Sequence, residues 1–407
     1  MYGKMEKEHS ARGTAYGPAE NKTRKEIIMS LTKEIMAYID ENRQETYELL
    51  LTMAKIPSPS NHEEKRAQFC KKWLEDQGAE GVFIDDALNV IYPVGCEAGK
   101  PVIVFMAHTD VVFPDTEELP LKVEDGKILC PGIGDDTANL AALLMVAKFI
   151  TKNHIQPKDA GILFVANSGE EGLGNLKGSR KICETYGDRI KEFYSFDGTI
   201  THITNRAVGS KRYRVEVLTE GGHSYGAFGN RNAIAYLSAM INDFYCMKAP
   251  DKGKTTYNVG KISGGTSVNT IAQQAEMLYE FRSDEAEDLA FMERHFKAVI
   301  EAYRAKGVQV NVELLGERPC MGDVDKEKHE ALLQKSREIV FNYSGIDPVF
   351  SSGSTDCNIP LSLGIPSVCL GTYIGGLAHT REEWVQIDSL YMGYLIAFDL
   401  ILGYFKI

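Results

Sequence analysis

Four short polar clusters in this sequence each border a run of apolar residues. His108-Thr109-Asp110 follows VIVFMA, and Asn167-Ser168-Gly169-Glu170-Glu171-Gly172 follows ILFVA. Asp197-Gly198 follows FYSF, while Asp135-Asp136 lies in CPGIGDDTANL, just before an apolar-periodic stretch. Several carboxylates brought together repel one another unless a cation neutralises them. With a histidine among them, the set suits metal binding and acid–base chemistry.

Each cluster has an ordinary reading beside the chemical one. Residues two apart on an extended segment point to the same side, so Asp110 could accept the spare N–H of a metal-bound His108. Alone, His-Thr-Asp equally suits a buried histidine beside a turn aspartate. Adjacent glutamates diverge, so one of Glu170 and Glu171 could ligate a metal while the other serves as a general base. An isolated Glu-Glu pair is more often a solvated face, but here it follows a strand-like run and sits between glycines. Asp136 or Thr137 would cap the helix that follows. Asp197-Gly198 alone is a turn dipeptide. His379, in GGLAHTREEW, has the setting of a surface loop histidine. The glycines of GLGNLKGS (172–179) fit neither common phosphate-loop spacing.

The elements that would carry these clusters alternate between strand and helix. Residues 27–54 have helical apolar spacing, and the loop KIPSPSNHEE leads into a second amphipathic helix through Trp73. NVIYPV, PVIVFMA, AGILFVA and FYSF read as strands, with the helix TANLAALLMVAKFITKN among them. This predicts an α/β core with a mainly parallel sheet. Ligands of such sheets bind outside the carboxyl ends of the strands, where the clusters fall. From Val208 the pattern becomes β-α-β-β-α-β, a ferredoxin-like order, and after Pro319 it returns to helix, strand, helix. The predicted division is a polar arm over 1–26, a main domain over 27–207 and 319–407, and an insert over 208–318.

Composition sets the outer bounds. The chain has 407 residues, long enough for two domains. Its 43 % hydrophobic and 25 % charged residues are those of a globular protein. A net charge of −12 argues against a broad nucleic-acid or anionic-membrane surface. No apolar run is long enough to span a membrane. Eight scattered cysteines without a C-x-x-C pair read as free thiols, and a cytoplasmic location is the expectation.

Taken in order, the clusters resemble a known family. HTDVV (108–112), PGIGDDTANLAAL (131–143), ANSGEEGLG (166–174), FDG (196–198), GGHS (221–224), GGTSVNTIA (264–272), FRSDE (281–285), GSTDCN (353–358) and AHTREEW (378–384) are similar to stretches of the co-catalytic zinc peptidases. That family includes peptidase T, glutamate carboxypeptidase, carnosinase-type dipeptidases and aminoacylases. The wording is most similar to peptidase T-like proteins.

The resemblance implies a zinc-exopeptidase-like catalytic domain interrupted by a lid and dimerisation domain. It implies a pair of Zn²⁺ ions, with Mn²⁺ or Co²⁺ as possible substitutes. His108 and Asp197 would hold one ion, Glu171 and His379 the other, and Asp135 would bridge them. Glu170 would be the general base and Asp110 would orient His108. His223 would reach the neighbouring site of a homodimer, and Asn269 and Arg282 would contact substrate. The chain departs from the family's D-x-K-G after the bridging aspartate, reading Asp135-Asp136-Thr137-Ala138, which puts the helix start and substrate choice in question. Aspartate at position 197 goes with aminopeptidase- and dipeptidase-like members, so a short peptide is the expected substrate. An N-acyl amino acid deacylase or carboxypeptidase using the same site is the alternative, and a non-catalytic binder on the same scaffold is the second.

Overall fold

Alternation within the strands lets one sheet feed two cores. The computed structural model describes residues 31–407, so the arm read over 1–26 lies outside the described residues. The main sheet uses β1 (Phe83–Ile84), β2 (Val90–Val94), β3 (Val102–His108), β4 (Gly161–Asn167), β5 (Ile190–Phe196) and β6 (His202–Ala207). The inserted strands are β7 (Gly209–Leu218), β8 (Thr255–Gly264), β9 (Gln274–Ser283) and β10 (Gln309–Arg318). The main sheet resumes with β11 (Val349–Gly353) and β12 (Ser367–Leu370).

The eight strands of the main sheet run in the order β1-β2-β4-β3-β5-β12-β6-β11. The central run β4-β3-β5-β12 is parallel throughout, and β11 pairs parallel with β6. The pairs β1-β2, β2-β4 and β12-β6 are antiparallel, so the sheet is mixed around a parallel centre.

Ile103, Phe105 and Ala107 of β3 join one core, and Val102, Val104 and Met106 join the other. On the first face lie α1 (Lys33–Glu41), α2 (Arg43–Lys55), α3 (Glu64–Asp76), α4 (Asn139–Lys152), α8 (Lys326–Ser344) and α10 (Ile387–Leu402). The opposite core takes Ile182 and Cys183 of α5 (Lys177–Tyr186), and Ile359 and Leu361 of α9 (Asn358–Ser362). Helix α4 is buried from Asn139 through Ile150, which explains its apolar character all round. The single helix predicted over 27–54 is two helices, α1 and α2. Asn42 separates them, its side-chain amide donating to the Tyr38 carbonyl and competing with the helical ladder.

The inserted strands form their own antiparallel sheet, order β8-β9-β7-β10, in the predicted ferredoxin-like topology. Helices α6 (Ala233–Tyr245) and α7 (Ala286–Ala305) cover one face around Val215, Met277 and Phe296. A short ribbon pairs Gly222–His223 with Thr270–Ile271 beside this sheet. No described helix is long and apolar enough to cross a membrane.

Phe105 is fully buried at the middle of β3 and stacks on Tyr194 at 4.7 Å. Phe105→Ala removes that packing and leaves a cavity, so unfolding stability falls by about 3–5 kcal/mol. Urea denaturation of the two proteins measures the loss.

Candidate active site

Parallel pairing aligns the strand ends that carry the polar clusters. His108 ends β3 directly opposite Asn167, the last residue of β4. Leu370 of β12 lies opposite Phe196, the last residue of β5, so Asp197 leaves the sheet at the same edge. The Glu170-Glu171 turn follows β4, and the loop after β12 returns His379 to this edge.

The Asp135 carboxylate is the centre of the cluster. Its Oδ1 lies 3.0 Å from His108 Nε2, and its Oδ2 lies 3.1 Å from His379 Nε2. His379 Nε2 is also 3.0 Å from Glu171 Oε1. Potential ligand atoms of His108, Glu170 and Glu171 lie within 4.8 Å of one another, as do those of His108, Asp136 and Asp197, and those of Asp135, Glu171 and His379. The structure therefore brings together His108, Asp135, Glu170, Glu171, Asp197 and His379. His379 adopts a left-handed backbone (φ 65°), which is uncommon for a residue with a Cβ and turns the ring toward Asp135.

The electrostatics of this cluster call for cations. Burial, followed by the charge of Asp135, pushes the Asp197 carboxyl well above its ordinary range. Burial likewise raises Glu171 to about 7 and Asp136 well above normal. Burial alone would raise Asp135 too, but hydrogen bonds with His108 and His379 pull it well down. Hydrogen bonds to Asp135 and Glu171 push His379 up to about 11. Among the described residues, the ion-pair partners of Asp135 and Glu171 are histidines alone. Imidazole nitrogens and carboxylate oxygens without thiolate form a donor set that divalent metals accept. The residues present therefore fit a pair of such ions sharing Asp135.

Around this centre, buried groups fix the loops. The Asp110 carboxylate accepts hydrogen bonds from the Glu170 and Glu171 amides, at 3.0 and 2.9 Å, and from the Ser60 hydroxyl at 2.7 Å. His108 Nδ1 is 3.0 Å from the Asp110 carbonyl but 3.5 Å from its carboxylate. Asp110 thus faces His108 through its backbone, and its side chain holds the Glu170-Glu171 turn.

Asp136 differs from the expected helix cap. Its carboxylate accepts from the His108 amide at 2.8 Å and from the Asn139 side chain at 2.6 Å. The Thr137 hydroxyl donates to the Gly132 carbonyl, and α4 begins without a side-chain cap. Tethering the Asp135 loop to β3 takes the place of capping.

Sequence reasoning missed three buried anchors. Glu383 accepts hydrogen bonds from the amides of Gly132, Gly134 and Asp135, at 2.8–2.9 Å. Arg66, fully buried, donates to the carbonyls of Thr109 and Ile56 and to the Thr137 hydroxyl. Arg318, 4 % exposed, donates to Glu170. Glu383 lay inside the matching stretch AHTREEW, which was the only signal; Arg66 and Arg318 carry none in their local sequence.

Among the described residues, the side chains of His223, Asn269 and Arg282 make no hydrogen bond to the cluster, and Arg282 lines a cavity with Ser354. The hydrogen bonds of their side chains stay inside the inserted module. His223 Nδ1 accepts from the Tyr225 and Gly226 amides, Asn269 accepts from Ser267, and Arg282 pairs with Glu280.

Comparison with known proteins agrees with this architecture. Residues 104–402 match Peptidase family M20/M25/M40. The chain is 26 % identical over 370 residues to the uncharacterized protein YqjE of Bacillus subtilis, covering 86 % of this chain and 95 % of the relative. It is 23 % identical over 404 residues to a probable succinyl-diaminopimelate desuccinylase of Staphylococcus epidermidis, covering 87 % and 96 %. Among solved structures, a tripeptidase of Staphylococcus aureus superposes with a TM-score of 0.71 at 25 % identity, covering 88 % of this chain and 98 % of that one. The chain belongs to peptidase family M20/M25/M40 and is a metallohydrolase of that family.

Proposed function

We propose that the protein hydrolyses an amide bond in short peptides, as an aminopeptidase or dipeptidase, at a two-zinc centre. The observation that carries this reading is the Asp135 carboxylate, which spans His108 and His379 beside the buried Glu170. His108 and Asp197 would hold one ion, Glu171 and His379 the other, with Asp135 common to both. When bound, such ions would polarise a carbonyl and lower the pKa of water so that hydroxide is available to attack it. Glu170 takes the proton from the attacking water and returns it to the leaving amine. Asp110 fixes the amides of Glu170 and Glu171 and so holds the turn that presents both carboxylates to the cluster.

The peptide substrate is supported by aspartate at position 197 and by the likeness to a tripeptidase. The likeness to a desuccinylase favours a second reading, an N-acyl amino acid deacylase using the same site. The segment 208–318 is read as a lid that carries Asn269 and Arg282 to the substrate.

That lid also serves as the contact of a homodimer. Near His223, Tyr225 is 91 % exposed and Phe228 92 %, and Val268 on the adjoining loop is fully exposed. A second copy would cover these side chains and receive His223 into its own site.

Four outcomes test these readings. The wild type holds about two divalent ions per chain and releases an amino acid from a tripeptide faster than from an N-acetyl amino acid. In Glu170→Gln, kcat falls by at least about 10²-fold while the ions remain; elemental analysis alongside the assay decides, and preference for the acetylated substrate would establish the deacylase instead. His223→Ala and Glu170→Gln proteins, each inactive alone, regain activity on mixing, because a mixed pair contains one intact composite site. Glu383→Ala strips three amides of their acceptor and loosens the Asp135 loop, weakening metal affinity by about 10–100-fold in a chelator competition.

A further inference from the structure

The loop that carries Glu170 is gripped from the inserted module. Arg318 is the last residue of β10, and Arg212 lies on β7. Arg212 Nη1 donates to the Gly172 carbonyl at 2.6 Å. The Glu317 amide donates to Asn175 Oδ1 at 3.0 Å, and Arg180 donates to the Glu317 carbonyl. Residues 170–175 therefore connect to β7 and β10 through four side chains: Arg318, Arg212, Asn175 and Arg180.

Arg318 has the closest hold. Its Nη1 donates to Glu170 Oε1 at 3.1 Å, and its Nη2 donates to the Glu170 backbone carbonyl. The same Nη1 reaches the carbonyl and hydroxyl of Ser354, at 3.3 and 3.2 Å. The side chains of Arg318 and Glu170 are 5 % and 7 % exposed, so solvent does little to weaken the pair. The Arg318 Nε–H has no acceptor among the described residues. The guanidinium is thus held by Glu170 and Ser354 alone. A planar fork can grip a carboxylate oxygen and the carbonyl of the same residue at once, which a single ammonium cannot do with fixed geometry.

We propose that Arg318 is the positioning residue for Glu170. By fixing Oε1 and the peptide carbonyl, it sets the side-chain rotamer and with it the aim of the carboxylate at His108 and Glu171. Because Arg318 ends the inserted sheet, the placement of that sheet and of the base are mechanically linked. The proposal rests on the reading of Glu170 as general base. It assigns no substrate contact to Arg318.

Arg318→Ala tests it. A base displaced by about 1 Å costs on the order of 10²-fold in rate. The expected result is a kcat lower by about 10²-fold, KM within about twofold of wild type, and unchanged metal content. Added guanidinium ion should restore part of kcat, and Arg318→Lys should fall between the two proteins. A crystal structure of Arg318→Ala should show Glu170 in a different rotamer. If Arg318→Ala does not fold, the Arg318→Lys kinetics and its Glu170 rotamer decide in its place.

A raised KM with unchanged kcat would overturn the proposal in favour of substrate binding. Loss of metal together with activity would overturn it in favour of a purely structural role, as would an unmoved Glu170 in the crystal. These failures leave the hydrolase reading intact, provided that Glu170→Gln abolishes wild-type turnover with metal bound. A wild type that cleaves no amide sinks that reading, and this proposal with it.

Discussion

Burying several carboxylates within a few ångströms of one another is the constraint on which this structure depends. Asp135, Asp136, Glu171 and Asp197 all sit at one sheet edge, and burial raises the cost of charging each of them. An arrangement of this kind persists only where something compensates it. The two histidines compensate in part, since each reaches one oxygen of Asp135. A pair of divalent ions would supply the remainder, and the donor set suits them.

The remainder of the site holds that arrangement in place against its own repulsion. Backbone amides do much of this work. Asp110 collects those of Glu170 and Glu171, Asp136 that of His108, and Glu383 those of Gly132, Gly134 and Asp135. In each case a buried carboxylate is satisfied by N–H groups and the loop is fixed in return. Asp136 shows the division of labour best. It neighbours Asp135 in sequence, yet it ties the loop to β3 while Asp135 faces both histidines. Two adjacent and chemically identical side chains thus take different tasks because the backbone aims them differently.

Two arginine side chains anchor the loops of the site. Arg66 joins the segments bearing Ile56, Thr109 and Thr137, and Arg318 holds Glu170. Both are long side chains brought in from distant sequence, and both are almost wholly buried. Their charge lies behind the reactive groups. The inserted module therefore meets the catalytic sheet through the chain crossings at its ends, through side chains that grip the loop after β4, and through Arg206 and Ser352, which bind Asp284 and Glu285.

The sequence by itself determined the alternation of strands and helices, the inserted ferredoxin-like order, and the polar clusters at strand ends. Those are local properties: a period of two or of 3.6, and short-range order along the chain. The clusters at His108, Asp135, Glu170, Glu171, Asp197 and His379 were legible for the same reason, each being a contiguous motif after an apolar run. Tertiary structure alone decided the rest. The helix expected over 27–54 divides at Asn42, whose backbone (φ −99°, ψ 9°) leaves helical values while its side chain shares the Tyr38 carbonyl with its own amide. Asp136 became a tether instead of a cap because β3 offered it an unpaired amide across the fold. Arg66, Arg318 and Glu383 act over separations of up to 251 residues, and no local pattern encodes a partner that far away. Which partners His223, Asn269 and Arg282 take was equally invisible, since a motif carries a residue's type but not its neighbours.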